Sequence, residues 1–442
     1  MTERERIVAA IDRDLLIDLA VQSIEIPSPT GYEENYARFL VDQMSQIGFE
    51  AELQEIYEGR YNAAGIMKGD DAGATVLLSG HMDTSVRGDE SWLEGPGFKN
   101  KAIIADGVLL GNGIFNMKNA FACYLTAMRT IQEVIGPLPG SVVLAGTSGE
   151  IETAPIDEFC GRAHDGYGVG LRYLLTHGYT ADYHILGEPT GLVPILGNWG
   201  TCWAKITTAG EFAHTAWSDA HLNAIEEMWL LWRELDSWIT GYRAANGYMN
   251  IPAQVNRAAI RGGHPWRASR TPASCSMYID IRVPPDRRMI DVQREFAAEV
   301  DKISRAKLKS PAHIKWYMSR PGTVVDPSEQ VVTSVTAAHE AVFGSKVEPN
   351  FGPPFCSDAS DSNRYGIPTV LYGQGRTAKT QAQFFSKDVR TDRGEFVNID
   401  DMVQAACVYA LAIIDLLRRP RKEGAEAMRS FIGADYVQGC GT

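Results

Sequence analysis

The chain has 442 residues, a net charge of −13, 45% hydrophobic and 22% charged residues. That length exceeds one ordinary core and suits about two domains. The acidic balance argues against nucleic acid or an anionic membrane surface as the main partner, because both need basic patches, and it leaves a small acidic substrate open, since local charge reads that.

The N-terminal MTERERIVAAIDRDLLIDLA is charged from its third residue and lacks the apolar core of a signal peptide. No apolar run reaches the length of a membrane span. The cysteines at 123, 160, 202, 275, 356, 407 and 440 are odd in number and form no C-x-x-C pair. A disulfide framework or zinc–thiolate site is not expected, and a reduced cytoplasm is.

Residues 7–22 and 33–47 are predicted as amphipathic helices, the second carrying Glu33 and Glu34 in its first turn and stopping at Gly48. Val76–Leu78 form a short buried-strand run ending at Gly80–His81. Asn116 opens a helical stretch, MKNAFACYLTAMRTI. Val142–Leu144 form a second such strand, ending in GTSGE, and Tyr183–Leu186 a third, ending in GEPT. Strands alternating with helices argue for an α/β layer with a mostly parallel sheet, and polar residues cluster where those strands end.

From Gly197 the texture changes. GTCWAKITTAG, CSMYIDIRV and HIKWYM read as strands, separated by two long helical stretches, in the order β–α–β–α–β. After Pro321 the α/β texture resumes, with GIPTVLYG as a strand and VNIDDMVQAACVYALAIIDLL as a closing helix. The expected organisation is one catalytic domain, 1–196 and 319–442, split by an inserted α/β domain at 197–318.

Four strand-end loops carry the chemistry. In Ser79-Gly-His-Met-Asp-Thr84, His81 is a metal-ligand candidate and Asp83 can orient its other ring nitrogen; alone, such a pair is more often just polar loop residues. In Gly111-Asn-Gly-Ile-Phe-Asn-Met-Lys118, Asn116 can offer an amide oxygen to a metal or serve as a helix N-cap. In Gly149-Glu-Ile-Glu152, Glu150 is a general-base candidate, or a helix-start acid. In Gly187-Glu-Pro-Thr190, Glu188 is an oxygen-ligand candidate, with Pro189 stiffening the turn that aims it.

In order and context these motifs resemble the metallopeptidase and deacylase family of acetylornithine deacetylase, succinyl-diaminopimelate desuccinylase and carboxypeptidase G. The resemblance continues through Gly210-Glu-Phe-Ala-His214-Thr, Asp280-Ile-Arg-Val-Pro284, Ser357-Asp-Ala359 and Asn363-Arg-Tyr-Gly-Ile-Pro368, so it spans nearly the whole chain. It implies a zinc-peptidase-like α/β catalytic domain with an inserted ferredoxin-like domain that acts as lid and dimerises. It also implies hydrolysis of a C–N bond of a small molecule, with Glu150 as base and with His214 reaching a partner subunit's site to stabilise negative charge.

The chain departs from that family at one metal site. Asn116 stands where the family has a bridging Asp, Ile151 follows Glu150 where a second Glu belongs, and Thr391 stands where the last His ligand belongs; no His follows His339. A neutral amide does not screen two close dications. The expectation is therefore one divalent ion per chain, held by His81, Asn116 and Glu188, an oxygen-rich set suited to Mn²⁺, Fe²⁺, Co²⁺ or Zn²⁺. The Asn-Met-Lys and Gly-Glu-Ile-Glu variants resemble a branch that replaces an aromatic amine by hydroxyl, as on 5-nitroanthranilate. Arg267, Arg282 and Arg364 are the candidates for holding a carboxylate or nitro group, and Trp199 and Trp266 for an aromatic wall. An ordinary amidase or dipeptidase with one metal, and a non-catalytic binder, remain open at this point.

Overall fold

Val76, Leu77 and Leu78 are fully buried, as an apolar run at the centre of a parallel sheet should be. In the computed structural model they belong to the strand Thr75–His81, inside a six-stranded sheet. In spatial order that sheet runs Glu50–Tyr57, Arg60–Met67, Ser141–Thr147, Thr75–His81, Tyr183–Leu186 and Thr369–Leu371. The last four strands are mutually parallel and the first two are antiparallel additions at one edge. The structure describes residues 1–375 and 394–421; Thr391 and Cys440 lie outside the described residues.

Helices Arg13–Glu25, Glu34–Gln46, Asn119–Ile135, Gln330–Phe343 and Ile399–Leu417 bury their apolar faces in the core formed with this sheet. The helix expected over 7–22 is two helices, Glu3–Ala9 and Arg13–Glu25. Asp12 makes the break: its carboxylate accepts from the N–H groups of Asp14 and Leu15 and caps the second helix. The helix expected to open at Asn116 begins at Asn119, because Asn116 and Met117 have non-helical backbone angles. Among the described residues no helix is long and apolar enough to cross a membrane.

The chain divides into two compact units. The first comprises Met1–Leu196, Val325–Phe351 and the chain from Ser357 on; the second comprises Gly197–Val324 and Gly352–Cys356. The second unit closes at Val324 and not at 318. Its strand His313–Arg320 pairs with Gly200–Ala209, and Thr323–Val324 pairs with Gly197–Asn198. It is built on a four-stranded antiparallel sheet in the order Val255–Gly262, Ser274–Val283, Gly200–Ala209, His313–Arg320. Helices Ala224–Ala245 and Met289–Lys307 pack on it around Trp199, Met228, Leu231 and Phe296. The chain order is thus β–α–β–β–α–β, the ferredoxin-like arrangement. The strand absent from the sequence reading, Val255–Gly262, is an edge strand with one buried residue, so it has no apolar face to betray it.

Candidate metal centre

Three neighbouring parallel strands end at the site. His81 is the last residue of Thr75–His81, Glu150 lies in the loop after Ser141–Thr147, and Glu188 in the loop after Tyr183–Leu186. All three are buried, and one ligand atom from each lies within 4.8 Å of the other two. Among the described residues this is the only such grouping of three or more His, Cys, Asp or Glu side chains. His81 Nδ1 donates to the main-chain carbonyl of Asp83 at 2.9 Å. The other ring nitrogen, Nε2, faces Asn116 Oδ1 at 3.1 Å and Glu150 Oε2 at 3.9 Å. Burial disfavours the charged ring, but the carboxylates of Glu188 and Asp83 and the Asn116 amide outweigh it and raise the His81 pKa. Two buried carboxylates beside one imidazole leave negative charge that a cation would neutralise. One nitrogen with several oxygens is a donor set that fits a divalent ion.

Asp83 departs from its expected part. Its carboxylate was expected to orient His81, yet Oδ1 stands 3.6 Å from Nδ1, and the ring bonds the Asp83 carbonyl. The carboxylate instead accepts the main-chain N–H of Glu150 and of Ile151, both at 3.0 Å, and the Thr30 hydroxyl at 2.8 Å. It therefore fixes the Glu150 loop. Gly149 in that loop has φ +68°, and a Cβ there would meet Arg60 Nη2 at 2.1 Å, so this turn requires glycine. Arg60 is fully buried and paired with the equally buried Glu33 at 2.9 Å. Burial, then repulsion from Asp83, raises the Glu33 carboxyl to about 6.

Asn116 sits in the tight turn Ile114–Lys118, and its peptide bond to Met117 is cis. It is no helix cap; its amide oxygen is the one beside His81. Lys118 closes the turn, donating from Nζ to the carbonyls of Ser23 at 2.8 Å and Ile26 at 2.7 Å, over the ring of Tyr36 at 4.4 Å. Burial pushes the Lys118 pKa down to about 7, with Glu395 opposing. Glu395 accepts from the N–H groups of Phe115 at 3.0 Å and Asn116 at 3.1 Å. Its one sequence signal is a lone acid beside an apolar strand run, Phe396–Asn398. The loop carrying Glu188 is anchored through Thr190, whose hydroxyl exchanges hydrogen bonds with the main chain of Gly373 at 3.2–3.3 Å.

His214, Arg267 and Arg282 belong to the second unit and Arg364 to the first. Exposed His214 accepts from the Ala216 N–H through Nδ1 at 3.1 Å, which puts the proton of a neutral ring on Nε2. Arg267 is exposed, its guanidinium 5.8 Å from the centre of the Phe212 ring. Arg282 is ion-paired with Asp280 at 2.9 Å and its side chain is 13% exposed, so its charge is already committed. Arg364 is exposed at the end of the helix Ala359–Arg364. Trp199 is fully buried among apolar neighbours and is part of a core, not an aromatic wall, whereas Trp266 is exposed.

Residues 77–415 match the family described as peptidase family M20/M25/M40. The N-formyl-4-amino-5-aminomethyl-2-methylpyrimidine deformylase of Bacillus subtilis is 26% identical over 395 residues, covering 82% of this chain and 88% of that protein. The acetylornithine deacetylase of Vibrio vulnificus is 26% identical over 371 residues, covering 81% and 88%. A tripeptidase of Staphylococcus aureus superimposes with a TM-score of 0.71 at 19% identity over 93% of this chain and 100% of its own, a likeness of fold. With the family matched over most of the chain and a buried His–Glu–Glu cluster at the ends of its central strands, the chain belongs to peptidase family M20/M25/M40 and is a metal-dependent hydrolase acting on C–N bonds.

Proposed function

We propose that the protein replaces the amino group of an electron-poor aromatic amine, with 5-nitroanthranilate as the model substrate, by hydroxyl, and that it does so with a single divalent ion held by His81, Glu188 and Asn116. The contact of Asn116 Oδ1 with His81 Nε2 at 3.1 Å carries this reading. A neutral amide occupies the place where two close dications would need a shared anion. His81, Glu188 and Asn116 would hold the ion, Mn²⁺, Fe²⁺, Co²⁺ or Zn²⁺, and when bound it would supply a lowered pKa for water and polarisation of the electrophile. Glu150 takes the proton of the attacking water and delivers it to the departing nitrogen. The ring carbon gains a C–O bond and loses its C–N bond, and ammonia leaves. Asp83 holds the main chain of Glu150 in place for both transfers. His214 keeps the part that the family resemblance gives it: it donates to developing negative charge, from the partner subunit of a homodimer. Arg267 and Arg364 remain candidates for the substrate carboxylate; Arg282, paired with Asp280, is not retained.

A second reading is hydrolysis of an N-formyl or N-acyl amide by the same base. The deformylase and deacetylase names of the relatives at 26% identity favour it. The retained His81–Glu150–Glu188 cluster argues against a non-catalytic binder. Metal-loaded protein given 5-nitroanthranilate is expected to release ammonia and the hydroxy acid. Hydrolysis of N-formyl or N-acyl amines with no ammonia from any aryl amine would transfer the assignment to the second reading.

A further inference from the structure

The turn that carries Asn116 is gripped from the far end of the first unit's sequence. The strand Val108–Leu110 pairs antiparallel with Phe396–Asn398, with Leu110 opposite Phe396. One residue further, Gly111 donates its N–H to the carbonyl of Glu395 at 3.2 Å. That register leaves the Glu395 side chain beside the turn that follows Leu110. Its Oε2 accepts the N–H groups of Phe115 at 3.0 Å and Asn116 at 3.1 Å. Two adjacent main-chain donors of one short turn thus converge on a single carboxylate oxygen. The backbone of Asn116 is held by Glu395 while its side-chain oxygen faces His81 Nε2 at 3.1 Å.

We infer that Glu395 is a positioning residue for the metal centre, holding Asn116 in the orientation that lets its amide oxygen join His81 on one ion. The inference rests on the single-ion reading above. Glutamine can keep one oxygen in the place of Oε2 but loses the charge-assisted part of both bonds, and alanine leaves the donors with no acceptor.

The test is titration of the apoprotein with Mn²⁺ alone, alongside circular dichroism and thermal unfolding. Glu395→Gln is expected to weaken Mn²⁺ binding by roughly 10–100-fold while the fold is retained. Because Glu395 acts through Asn116, Asn116→Ala with Glu395→Gln together should lose little more than Asn116→Ala alone. A residue of purely structural use would lower the unfolding temperature of the apoprotein and leave the affinity of the folded protein unchanged. Should Glu395→Gln fold poorly, Glu395→Asp, which keeps the charge but withdraws it by one methylene, must show the same weakening. Loss of Mn²⁺ binding in His81→Ala with unchanged affinity in folded Glu395→Gln, or fully additive losses in the double variant, overturns this inference and leaves the centre standing. Unchanged affinity in His81→Ala overturns both.

Discussion

The main-chain N–H of Glu150 donates to the carboxylate of Asp83 at 3.0 Å, so the strand bearing His81 sets the position of the Glu150 loop on the neighbouring strand. Glu150 and Ile151 both depend on that one acid, which also accepts from Thr30. Asp83→Asn keeps the shape but presents an N–H₂ group to donors. It should lower turnover about 10–100-fold, with a smaller change in Mn²⁺ affinity. A variant that loses metal first and turnover only in proportion would show that Asp83 serves His81 instead.

Glu150 and Glu188 lie in one cluster, and their variants separate their parts. Glu150→Gln should retain the ion and lose about 10²–10⁴-fold in turnover. Glu188→Gln should lose the ion first and activity in consequence. Metal titration of both variants checks this; loss of metal from Glu150→Gln but not from Glu188→Gln would reverse the assignments.

One tightly held divalent ion per chain is expected from elemental analysis of fully loaded protein. Asn116→Asp alone should not raise the count, because Ile151 still offers no carboxylate. The ion should also yield readily to chelators, since Glu188 is the only anionic member of its proposed His81–Asn116–Glu188 shell. Two tightly bound ions in the unaltered protein would contradict the single-ion centre.

His184 lies on the strand leading to Glu188, bonded to the hydroxyls of Ser79 and Ser362 at 2.8 Å each. Burial pushes its pKa from 6.5 down to about 3. Below pH 6.5 the unfolded chain takes up a proton there that the folded protein refuses. This contribution to stability is therefore complete above pH 6.5 and falls as pH drops toward 3, by about 1.4 kcal/mol per pH unit. Urea unfolding between pH 6 and 4 should show a shallower acid slope in His184→Gln than in the parent. Equal slopes would remove His184 as the cause.

The strand Val255–Gly262 is an edge of the second unit's sheet, with Ile260 54% exposed, and Trp229 on the helix Ala224–Ala245 is 60% exposed. An open strand edge with exposed Ile260 is a place for a second copy to add. The protein should sediment as a dimer, and Ile260→Asp with Trp229→Asp should shift it to the monomer. A monomeric parent with full activity would remove both the dimer and the partner-subunit part of His214.

The central strands were legible because strands buried on both faces must be largely apolar: Val76–Leu78 and Val142–Leu144 are, and Tyr183–Leu186 is apart from His184. The strand-end loops were legible because His81, Glu150 and Glu188 each follow such a run. Other features had no such signature. Val255–Gly262 is a strand by its pairing alone. The break at Asp12 rests on one side-chain cap inside a continuous helical pattern. Trp199 and Arg282 carry the right chemistry for a ligand wall, but packing and Asp280 consume it. Asp83 and Glu395 work through main-chain amides, and every residue type but proline donates those, so nothing in the neighbouring sequence marks the partner.

The pairing of Val108–Leu110 with Phe396–Asn398 also bears on biosynthesis. Every proposed ligand and the base, from His81 to Glu188, leave the ribosome before the second unit begins. Glu395 follows only after that unit is complete. A nascent or truncated chain thus carries the ion's direct partners long before it carries the acid that steadies their loop. Long-range pairings of this kind form late. On the proposed part of Glu395, metal capture would be tied to completion of the polypeptide, and a chain cut short before Glu395 would be left with a loosened centre.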